Sequence, residues 1–313
     1  MTQALALGID IGGTNTAFGI VNRRGEIIAK GNMPTTGHDT PHHYIAALRH
    51  ELTPLLDSAG RENFEGVGIG APNGNFFTGE IVFAPNLPWR GVIPMAKMIG
   101  EALNLKAVLT NDANAAAIGE MTYGVAKGLR DFIVVTLGTG LGSGFVANGE
   151  LIYGHDGFAG ELGHVIAVRE GRICGCGRNG CLETYASATG IVRTANEWLA
   201  ERNTPTVLRA MQPNITSRII HEAAMQGDVF ALEIFEFTGK ILGQTLADTI
   251  TITSPEAIIF FGGLAKSGDM LFDHVRTHIE HNLLNIYKNK VSLMQSALPD
   301  ADAAILGASA LVW

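Results

Sequence analysis

The three cysteines of the chain and one nearby histidine are the side chains with the clearest chemistry. Cys174, Cys176 and Cys181 fall within eight residues, and His164 lies ten residues before the first of them. Three thiolates and an imidazole form a complete tetrahedral ligand set for Zn²⁺, with no open position for a catalytic water. A disulfide with one free thiol and three unrelated core cysteines are the alternatives, although three cysteines cannot all pair. The spacing therefore predicts a structural zinc site.

Two carboxylates lie beside this cluster. Glu161 precedes His164 by three residues, and Glu183 follows Cys181 by two. We expect the zinc to hold both carboxylates in fixed positions. The loop between the ligands contains glycines that allow it to fold tightly, namely Gly175, Gly177 and Gly180.

Two further carboxylates stand where buried strands are predicted to end. Asp10 closes a strand over 4–10, and Asp112 follows a strand over 107–110. The carboxyl ends of parallel strands are the edge of a sheet where ligands bind, and a carboxylate at the end of the first strand can meet a metal ion. Asp112 also precedes a helix, where aspartate is a good N-cap. The sequence leaves ligand binding and helix capping open for Asp112.

Glycine-rich turns follow three of the predicted strands. Such turns can wrap an anion, because no side chain blocks the approach to the backbone N–H groups. Their candidate ligand-binding residues are Gly12, Gly13, Thr14 and Asn15 in the first turn, Gly138, Thr139 and Gly140 in the second, and Gly262 and Gly263 in the third. The second turn, predicted over 138–144, leads into a strand rather than a helix, so it is not a dinucleotide fingerprint.

The first two of these turns belong to an internal repeat of strand, glycine turn, strand, turn and strand. Gly19 corresponds to Gly144, and residues 25–28 correspond to 149–152, at offsets of 125 and 124. Two similar phosphate-type turns predict a nucleotide bound in a cleft between two similar domains.

The remaining elements are predicted from apolar periodicity. A helix after residue 41 contains Pro54, which leaves its end open. Further helices are predicted over 93–103, 186–199, 215–225, 228–251, 272–284 and 303–312, and a strand over 291–295. The last helix should pack back on the first domain.

The loop after residue 70 presents exposed amides at Asn73, Asn75 and Asn86, which suit sugar hydroxyls, although a turn-rich connection is the alternative.

Composition excludes several classes of function. The chain has 313 residues, a formal net charge of −8 and no basic tract, which argues against nucleic acid as a partner. No apolar run reaches the length of a membrane span, and the opening residues lack the features of a signal peptide. Thiols clustered for metal binding fit a reducing cytoplasm. We therefore expect a cytoplasmic protein without a membrane partner.

Five motifs in order along the chain resemble the ROK family of sugar kinases. They are DIGGTNT, NDANAAA, GTGLGSG, ELGH and CGCGRNGCLE. The resemblance runs from residue 8 to about 310. It implies the actin-like ATPase (sugar kinase) fold, an α/β fold of two domains that close on ATP and a hexose. We expect a small domain at 1–112 with about 302–313, and a large domain with the zinc loop at 113–301.

The resemblance also implies roles for individual residues. Asp112 resembles the general base that takes the proton from the 6-hydroxyl of the sugar, and Asp10 resembles the residue near Mg²⁺. His164 would serve zinc with one ring nitrogen and the sugar with the other. The residues that resemble the family's sugar-binding set are Gly74, Asn75, Asn86, Asn111, Asp112, Glu161, His164 and Glu183.

The sequence departs from the family pattern at two places, and both bear on the substrate. Asn15 stands where many members have lysine, and the lip of the predicted sugar site reads Asn73-Gly74-Asn75 where a Pro-Gly pair is commoner. Glucose is the first expectation, with N-acetylglucosamine, N-acetylmannosamine, allose and fructose open. Two alternative functions of another class are a sugar-sensing repressor and a non-catalytic sugar-binding scaffold. Repressors of the family carry an added N-terminal DNA-binding domain, and Asp112 argues against a pure binder. A homodimer is implied by the resemblance alone.

Overall fold

The computed structural model describes residues 4–313, except for the side chains of residues 300 and 301. The chain packs into two compact units. The first contains the described residues up to Gly128 together with Leu151–Ala159 and Ala297–Trp313, and the second contains Leu129–Glu150 and Gly160–Ser296. The first unit extends past the boundary predicted at residue 112, because the helix that follows that residue packs on the C-terminal helix.

The strands are β1 (Leu5–Ile11), β2 (Asn15–Asn22), β3 (Ile27–Pro34), β4 (Phe64–Gly70), β5 (Gly74–Asn75), β6 (Glu80–Val82), β7 (Val92–Ile93), β8 (Ala107–Thr110), β9 (Phe132–Leu137), β10 (Leu141–Ala147), β11 (Glu150–Leu151), β12 (Ala257–Phe261) and β13 (Ser292–Gln295). The helices are α1 (Pro41–Ala59), α2 (Met95–Leu103), α3 (Asp112–Thr122), α4 (Ala188–Glu201), α5 (Ser217–Met225), α6 (Val229–Thr253), α7 (Asp269–Asn282) and α8 (Asp300–Ser309). Within the described residues, no helix combines the length and apolar character that crossing a membrane requires.

The two five-stranded sheets share one topology, and this confirms the repeat seen in the sequence. The first has the order β3-β2-β1-β4-β8, and the second has the order β11-β10-β9-β12-β13. In each sheet an antiparallel hairpin is followed by two parallel strands. The turn at Asn148-Gly149 has positive φ at both residues, +55° and +80°, as expected for the tight hairpin that this dipeptide predicts.

Glycines inside the strands of the first unit allow α8 to lie directly on the sheet. A Cβ at Gly8 would collide with the carbonyl oxygen of Ile305, and a Cβ at Gly68 with that of Ala308. Glycine in this chain therefore serves close packing of a helix on a sheet as well as the turns after strands. The prediction that the last helix returns to the first unit is confirmed.

The second unit is built on the pairing of α6 with α7. Gly239 and Gly243 lie one turn apart on α6, and a Cβ on Gly243 would stand 2.7 Å from the carbonyl oxygen of Val275. The two helix backbones therefore approach closely. The core around them is aliphatic and aromatic, with Phe230, Phe235 and Phe260 fully buried.

Several element boundaries differ from the predictions. Helix α1 runs through Pro54 and ends at Ala59, before Gly60 with φ +80°. The second glycine turn spans only residues 138–140, because Leu141 already pairs with Leu137 across the hairpin. Strand β11 is short and ends at Leu151, since the following residues pack in the first unit.

Candidate active site and metal centre

Asp10 and Asp112 lie at the same edge of the first sheet. Asp10 is the penultimate residue of β1, and Asp112 follows β8, with β4 between the two strands. Gly70 ends β4, and a Cβ placed on it would stand 3.4 Å from Asp10 Oδ1 and 3.9 Å from Asp112 Cα. Parallel strands thus bring two carboxylates to their common carboxyl edge, where ligands bind in such sheets.

The surroundings of these carboxylates disfavour their charged forms. Burial raises the pKa of Asp10 to about 7, and repulsion from Asp112 adds to the increase. Asp112 retains access to solvent, but the dense protein around it raises the pKa of Asp112 despite a hydrogen bond donated by Ala113 N. Two interacting carboxyl groups with raised pKa values are typical of a functional site rather than of a structural one.

At the start of α3, the residue that caps the helix is not Asp112 but its neighbour. Asn111 is the N-cap, and its Oδ1 accepts a hydrogen bond of 2.7 Å from Asn114 N. Asp112 is the first helical residue, so the interpretation of Asp112 as the N-cap is wrong. The negative charge still benefits from the positive end of the helix dipole. Capping by Asn111 leaves the Asp112 carboxylate available for chemistry.

The amide-rich loop is partly buried, contrary to the expectation of exposed amides. Asn75 is 3% exposed, and its Nδ2 donates to the carbonyl oxygen of Asp156 at 2.6 Å while its Oδ1 accepts from Phe77 N and Thr78 N. Its side chain is therefore already committed to organising this loop. Asn73 and Asn86 are exposed as expected.

Close backbone packing explains two glycines of the same region. A Cβ on Gly74, which is buried, would collide with the carbonyl oxygen of Thr110. A Cβ on Gly13 would stand 2.6 Å from the carbonyl oxygen of Asn86, so the first glycine turn packs against the amide loop. Glycine at these positions lets the chain approach where any side chain would obstruct it.

Each of the three glycine turns is held by its own hydrogen bonds or close contacts. Gly12 N donates to Asn15 O at 3.0 Å, and both Thr14 and Asn15 are exposed. In the second turn the carbonyl oxygen of Gly138 accepts from Ala188 N, and that of Thr139 accepts from Thr189 Oγ1. Gly262 has φ +100° and sits against the carbonyl oxygen of Leu137, whereas the position of a Cβ on Gly263 is open. The second and third turns both adjoin the end of β9.

The structure brings the four predicted zinc ligands together. One ligand atom from each of His164, Cys174, Cys176 and Cys181 lies within 4.8 Å of all the others. The two closest sulfurs, Cys176 Sγ and Cys181 Sγ, are 3.6 Å apart, and Cys174 Sγ is 3.8 Å from His164 Nδ1. Tetrahedral zinc with bonds of about 2.0–2.3 Å places its ligand atoms at comparable separations. The donor set and its geometry therefore fit Zn²⁺.

Glu183 and Glu161 approach opposite nitrogens of the His164 ring. Glu183 Oε1 is 3.7 Å from Nδ1 and 3.0 Å from Cys174 Sγ, and Glu161 Oε2 is 4.0 Å from Nε2. A Cβ on Gly140 would stand 2.7 Å from Glu183 Oε2. The second glycine turn and the cysteine cluster thus enclose the Glu183 carboxylate from two sides.

Strand β10 supports the turn that carries Glu161 and His164. Ser143 Oγ donates to the carbonyl oxygen of Gly160 and accepts from Leu162 N at 3.2 Å. A Cβ on Gly163 would collide with the carbonyl oxygen of Leu141. These contacts fix the short 3₁₀ turn Leu162–His164 on the sheet.

Arg172 and Glu197 belong to this site's support and were missed in the sequence. The Arg172 side chain is 7% exposed and pairs with Glu197 of α4. Partial burial opposes ionisation of Glu197, but hydrogen bonds from Arg193 and Arg172 outweigh it and lower the pKa of Glu197. An arginine in a glycine-rich loop carries no signal of burial, since arginine is mostly exposed.

Comparison with known proteins covers nearly the whole chain. The ROK family pattern matches residues 6–313. A glucokinase from Halalkalibacterium halodurans is 34% identical over 322 residues, covering 100% of this chain and 96% of the relative. An N-acetylmannosamine kinase from Escherichia coli is 32% identical and covers 83% of this chain and 84% of the relative.

A solved structure agrees in fold. The ROK family glucokinase from Streptomyces griseus in complex with glucose and AMPPNP superposes with a TM-score of 0.79 at 32% identity, covering 98% of this chain and 99% of the other. The predicted α/β, actin-like ATPase fold is thereby confirmed. With matching motifs, a duplicated sheet and full-length similarity, the chain belongs to the ROK family.

Proposed function

We propose that the chain is an ATP-dependent hexose kinase that phosphorylates the 6-hydroxyl of glucose, with Asp112 as general base. The observation that carries this proposal is Asp112 itself, a carboxylate with a raised pKa at the carboxyl edge of the sheet, beside Asp10. The similarity to glucokinases along the full chain supports the nucleotide donor and the hexose acceptor.

The chemistry asked of Asp112 is the removal of one proton. A sugar hydroxyl is hardly ionised at neutral pH, so attack on the γ-phosphorus of ATP is helped when a carboxylate accepts the proton as the new O–P bond forms. A carboxylate with a raised pKa is a stronger acceptor than an ordinary aspartate. The remainder of phosphoryl transfer is positioning and charge neutralisation.

We assign Asp10 to the neighbourhood of Mg²⁺, where the family resemblance implies contact through a water. This assignment rests on the repulsion between the Asp10 and Asp112 carboxylates, because a cation nearby would relieve it. The metal would neutralise charge on the phosphates of ATP. We assign ATP to the residues of the three glycine turns, which are Gly12, Gly13, Thr14, Asn15, Gly138, Thr139, Gly140, Gly262 and Gly263.

We assign hexose binding to eight residues, which are Gly74, Asn75, Asn86, Asn111, Asp112, Glu161, His164 and Glu183. Because the amide of Asn75 is occupied by Asp156 O, Phe77 N and Thr78 N, we assign to Asn75 a contribution through the shape of its loop.

The cysteine cluster is proposed as a structural zinc site with His164, Cys174, Cys176 and Cys181 as ligands. His164 Nδ1 faces the sulfurs and Nε2 faces Glu161, so zinc on Nδ1 would fix both the tautomer and the ring orientation. Zinc would thereby hold His164 and Glu183 ready for a sugar. We also propose, from the family resemblance, a cytoplasmic homodimer.

N-acetylmannosamine is the second candidate substrate, because a kinase named for that sugar is 32% identical to this chain. N-acetylglucosamine, allose and fructose follow from the resemblance. A non-catalytic, sugar-sensing regulator is the candidate from another class. It would bind a sugar without turnover, whereas Asp112 is a group that binding alone does not require.

The test is release of ADP by the purified chain with Mg-ATP over a panel of hexoses and N-acetylhexosamines. We expect turnover on glucose, and a decrease of about 10²–10⁴-fold in kcat for Asp112→Asn, because the base is lost while the shape is kept. Asp57→Asn, which alters an exposed carboxylate on α1, is the control. Binding of a sugar without turnover would instead favour the regulator.

A further inference from the structure

Arg172 is a buried cation in the cysteine loop whose hydrogen-bonding groups are fully used. Its Nε donates to Glu197 Oε2 at 2.9 Å, and its Nη2 donates to the same oxygen at 2.5 Å and to Thr194 Oγ1 at 2.9 Å. Its Nη1 donates to the carbonyl oxygens of Thr184 at 2.7 Å and Gly190 at 3.3 Å. The guanidinium therefore joins the loop, the turn after Glu183 and helix α4.

The contacts made by Nη1 are the ones that bear on Glu183. The carbonyl of Thr184 belongs to the residue directly after Glu183, and the backbone oxygen of Glu183 accepts from Ser187 Oγ at 2.7 Å. The ring of Tyr185 lies under the guanidinium, 4.4 Å from Cζ, and its hydroxyl accepts from Arg172 N at 2.9 Å. Three separate contacts thus fix the segment that follows Glu183.

Helix α4 provides the rigid anchor for this arrangement. Glu197 accepts from Arg172 and also from Arg193 Nε at 2.8 Å, and Arg193 Nη1 donates back to the carbonyl oxygen of Ile173 in the cysteine loop at 2.9 Å. The carboxylate is 38% exposed, so water can reach it, whereas the Arg172 side chain is 7% exposed. One carboxylate on α4 therefore holds the loop at two points.

A purely stabilising role does not account for this choice of residue. A buried ion pair contributes little net stability, because desolvation offsets most of the attraction, and apolar residues of similar volume often replace such pairs without loss. What an apolar side chain lacks is the planar fork that reaches a carboxylate, a hydroxyl and two carbonyls at once. We therefore infer that the Arg172–Glu197 pair serves the position of the loop rather than the stability of the fold.

The space around the Glu183 carboxylate makes its position sensitive to small shifts. Oε1 is 3.0 Å from Cys174 Sγ, and Oε2 lies where a Cβ on Gly140 would be only 2.7 Å away. A movement of the backbone at Thr184 would therefore displace the carboxylate between two close neighbours. The side chain of Arg172 holds neither of those neighbours. Its contact with the carbonyl of Thr184 acts on a residue whose backbone N donates to the carbonyl oxygen of Cys181 at 3.0 Å.

We propose that Arg172, anchored by Glu197, is a positioning residue that sets the place of the Glu183 carboxylate and thereby the affinity for the sugar. The inference rests on the proposed function in one respect, which is that Glu183 binds the sugar. Arg172 contacts neither the sugar nor the nucleotide in this scheme. It acts through the backbone of Thr184 and the start of α4.

The experiment compares wild type with Arg172→Lys, which keeps the charge but loses the fork. We expect the KM for glucose to rise about tenfold, while the KM for ATP stays within about twofold and the zinc content equals that of wild type. Glu197→Gln keeps an oxygen acceptor for both arginines and should give a smaller rise in the same direction. Glu197→Gln also tests the proposal if Arg172→Lys folds poorly. Hydrogen exchange over 182–190 should become faster in both variants, with exchange over 257–261 unchanged.

Arg202→Lys is the matched control. Arg202 is another arginine of the second unit, paired with Glu233 at 3.2 Å and placed over the Trp198 ring at 3.7 Å, and its substitution should leave the KM for glucose unchanged. An unchanged glucose KM in Arg172→Lys, an equal rise in both KM values, or loss of zinc would overturn the inference. If wild type does not phosphorylate glucose, the proposed function fails instead, and unchanged exchange over 182–190 in Arg172→Lys would then refute the positioning role by itself.

Discussion

Replacing Asp10 with asparagine should make the folded protein less sensitive to alkaline pH. The pKa of Asp10 is about 7 in the folded state, against 3.8 for an exposed aspartate. At pH values between these two pKa values, Asp10 keeps its proton in the folded state but has lost it in the unfolded state. Unfolding therefore becomes easier as the pH rises. Above the folded pKa the whole effect is present, and below the unfolded pKa it vanishes. Asparagine has the same shape and no proton to lose.

The size of the effect follows from the shift. One pKa unit corresponds to about 1.4 kcal/mol, and roughly 2.5 kcal/mol of the Asp10 effect would develop between pH 5 and pH 8 if the shift acted fully. Asp10 is only partly enclosed, and relaxation of its surroundings reduces such values, so we expect about 1–2 kcal/mol. Wild type should lose that much more stability than Asp10→Asn over this range.

Urea unfolding at pH 5 and pH 8, in buffer without added divalent cations, is the measurement. Trp89 is buried in the first unit and reports its unfolding by fluorescence. Asp112→Asn provides a second comparison, because removing the repelling charge should decrease the effect of Asp10 without abolishing it. If wild type and Asp10→Asn lose equal stability from pH 5 to pH 8, burial does not raise the pKa of Asp10, and the reasoning about the paired carboxylates is wrong.

Two further changes test the second unit. Cys176→Ser should lower the zinc content of the purified protein and its activity together, as followed by elemental analysis and ADP release, because a tetrahedral site loses one of four ligands; full activity in a zinc-free variant would contradict the structural role of the metal. Gly243→Ala should reduce the free energy of unfolding by about 1–2 kcal/mol, since the new Cβ meets Val275 O at 2.7 Å on α7. Alanine is otherwise the better helix former by about 1 kcal/mol, so stabilisation in urea unfolding would show that the helices have room to separate.

Elements that carry their own periodicity were predictable from the sequence. The strand at 107–110 has the predicted bounds, and Thr216 and Asp228 cap α5 and α6 near the predicted starts. The internal repeat predicted that the two sheets would share a topology. Repetition is a strong signal because it compares the chain with itself and needs no knowledge of tertiary contacts.

Features that depend on distant parts of the chain were not predictable. Nothing local shows that Gly8 lies beneath α8, or that Asn75 is buried by the carbonyl of Asp156, because the partner residues are far away in the sequence. Pro54 left the end of α1 open in the sequence, and the helix continues past it because its apolar face, with Leu52 and Leu56, is buried on both sides of the proline.

The candidate site likewise has residues that were predictable from local sequence and residues that were not. The ligand cluster was visible because cysteine is rare and its spacing is short, and one carboxylate at a strand end was visible for each of β1 and β8. Arg172 was not, because burial of an arginine requires acceptors that the fold assembles from two segments, the turn at Thr184 and helix α4 with Gly190 and Glu197.

The position of α8 has a consequence for how the protein is made. Strand β1 leaves the ribosome first, yet the helix that covers Gly8 and Gly68 is among the last segments to be synthesised. At about 5–20 residues per second, translation of 313 residues takes roughly 15 to 60 s. During that time the first sheet lacks its cover, while β9 to β13, which make up the second sheet, are complete before α8 emerges. The unit that contains β1 therefore waits for α8 after the second sheet is complete, and a chaperone that shields apolar strand faces would have its longest task there.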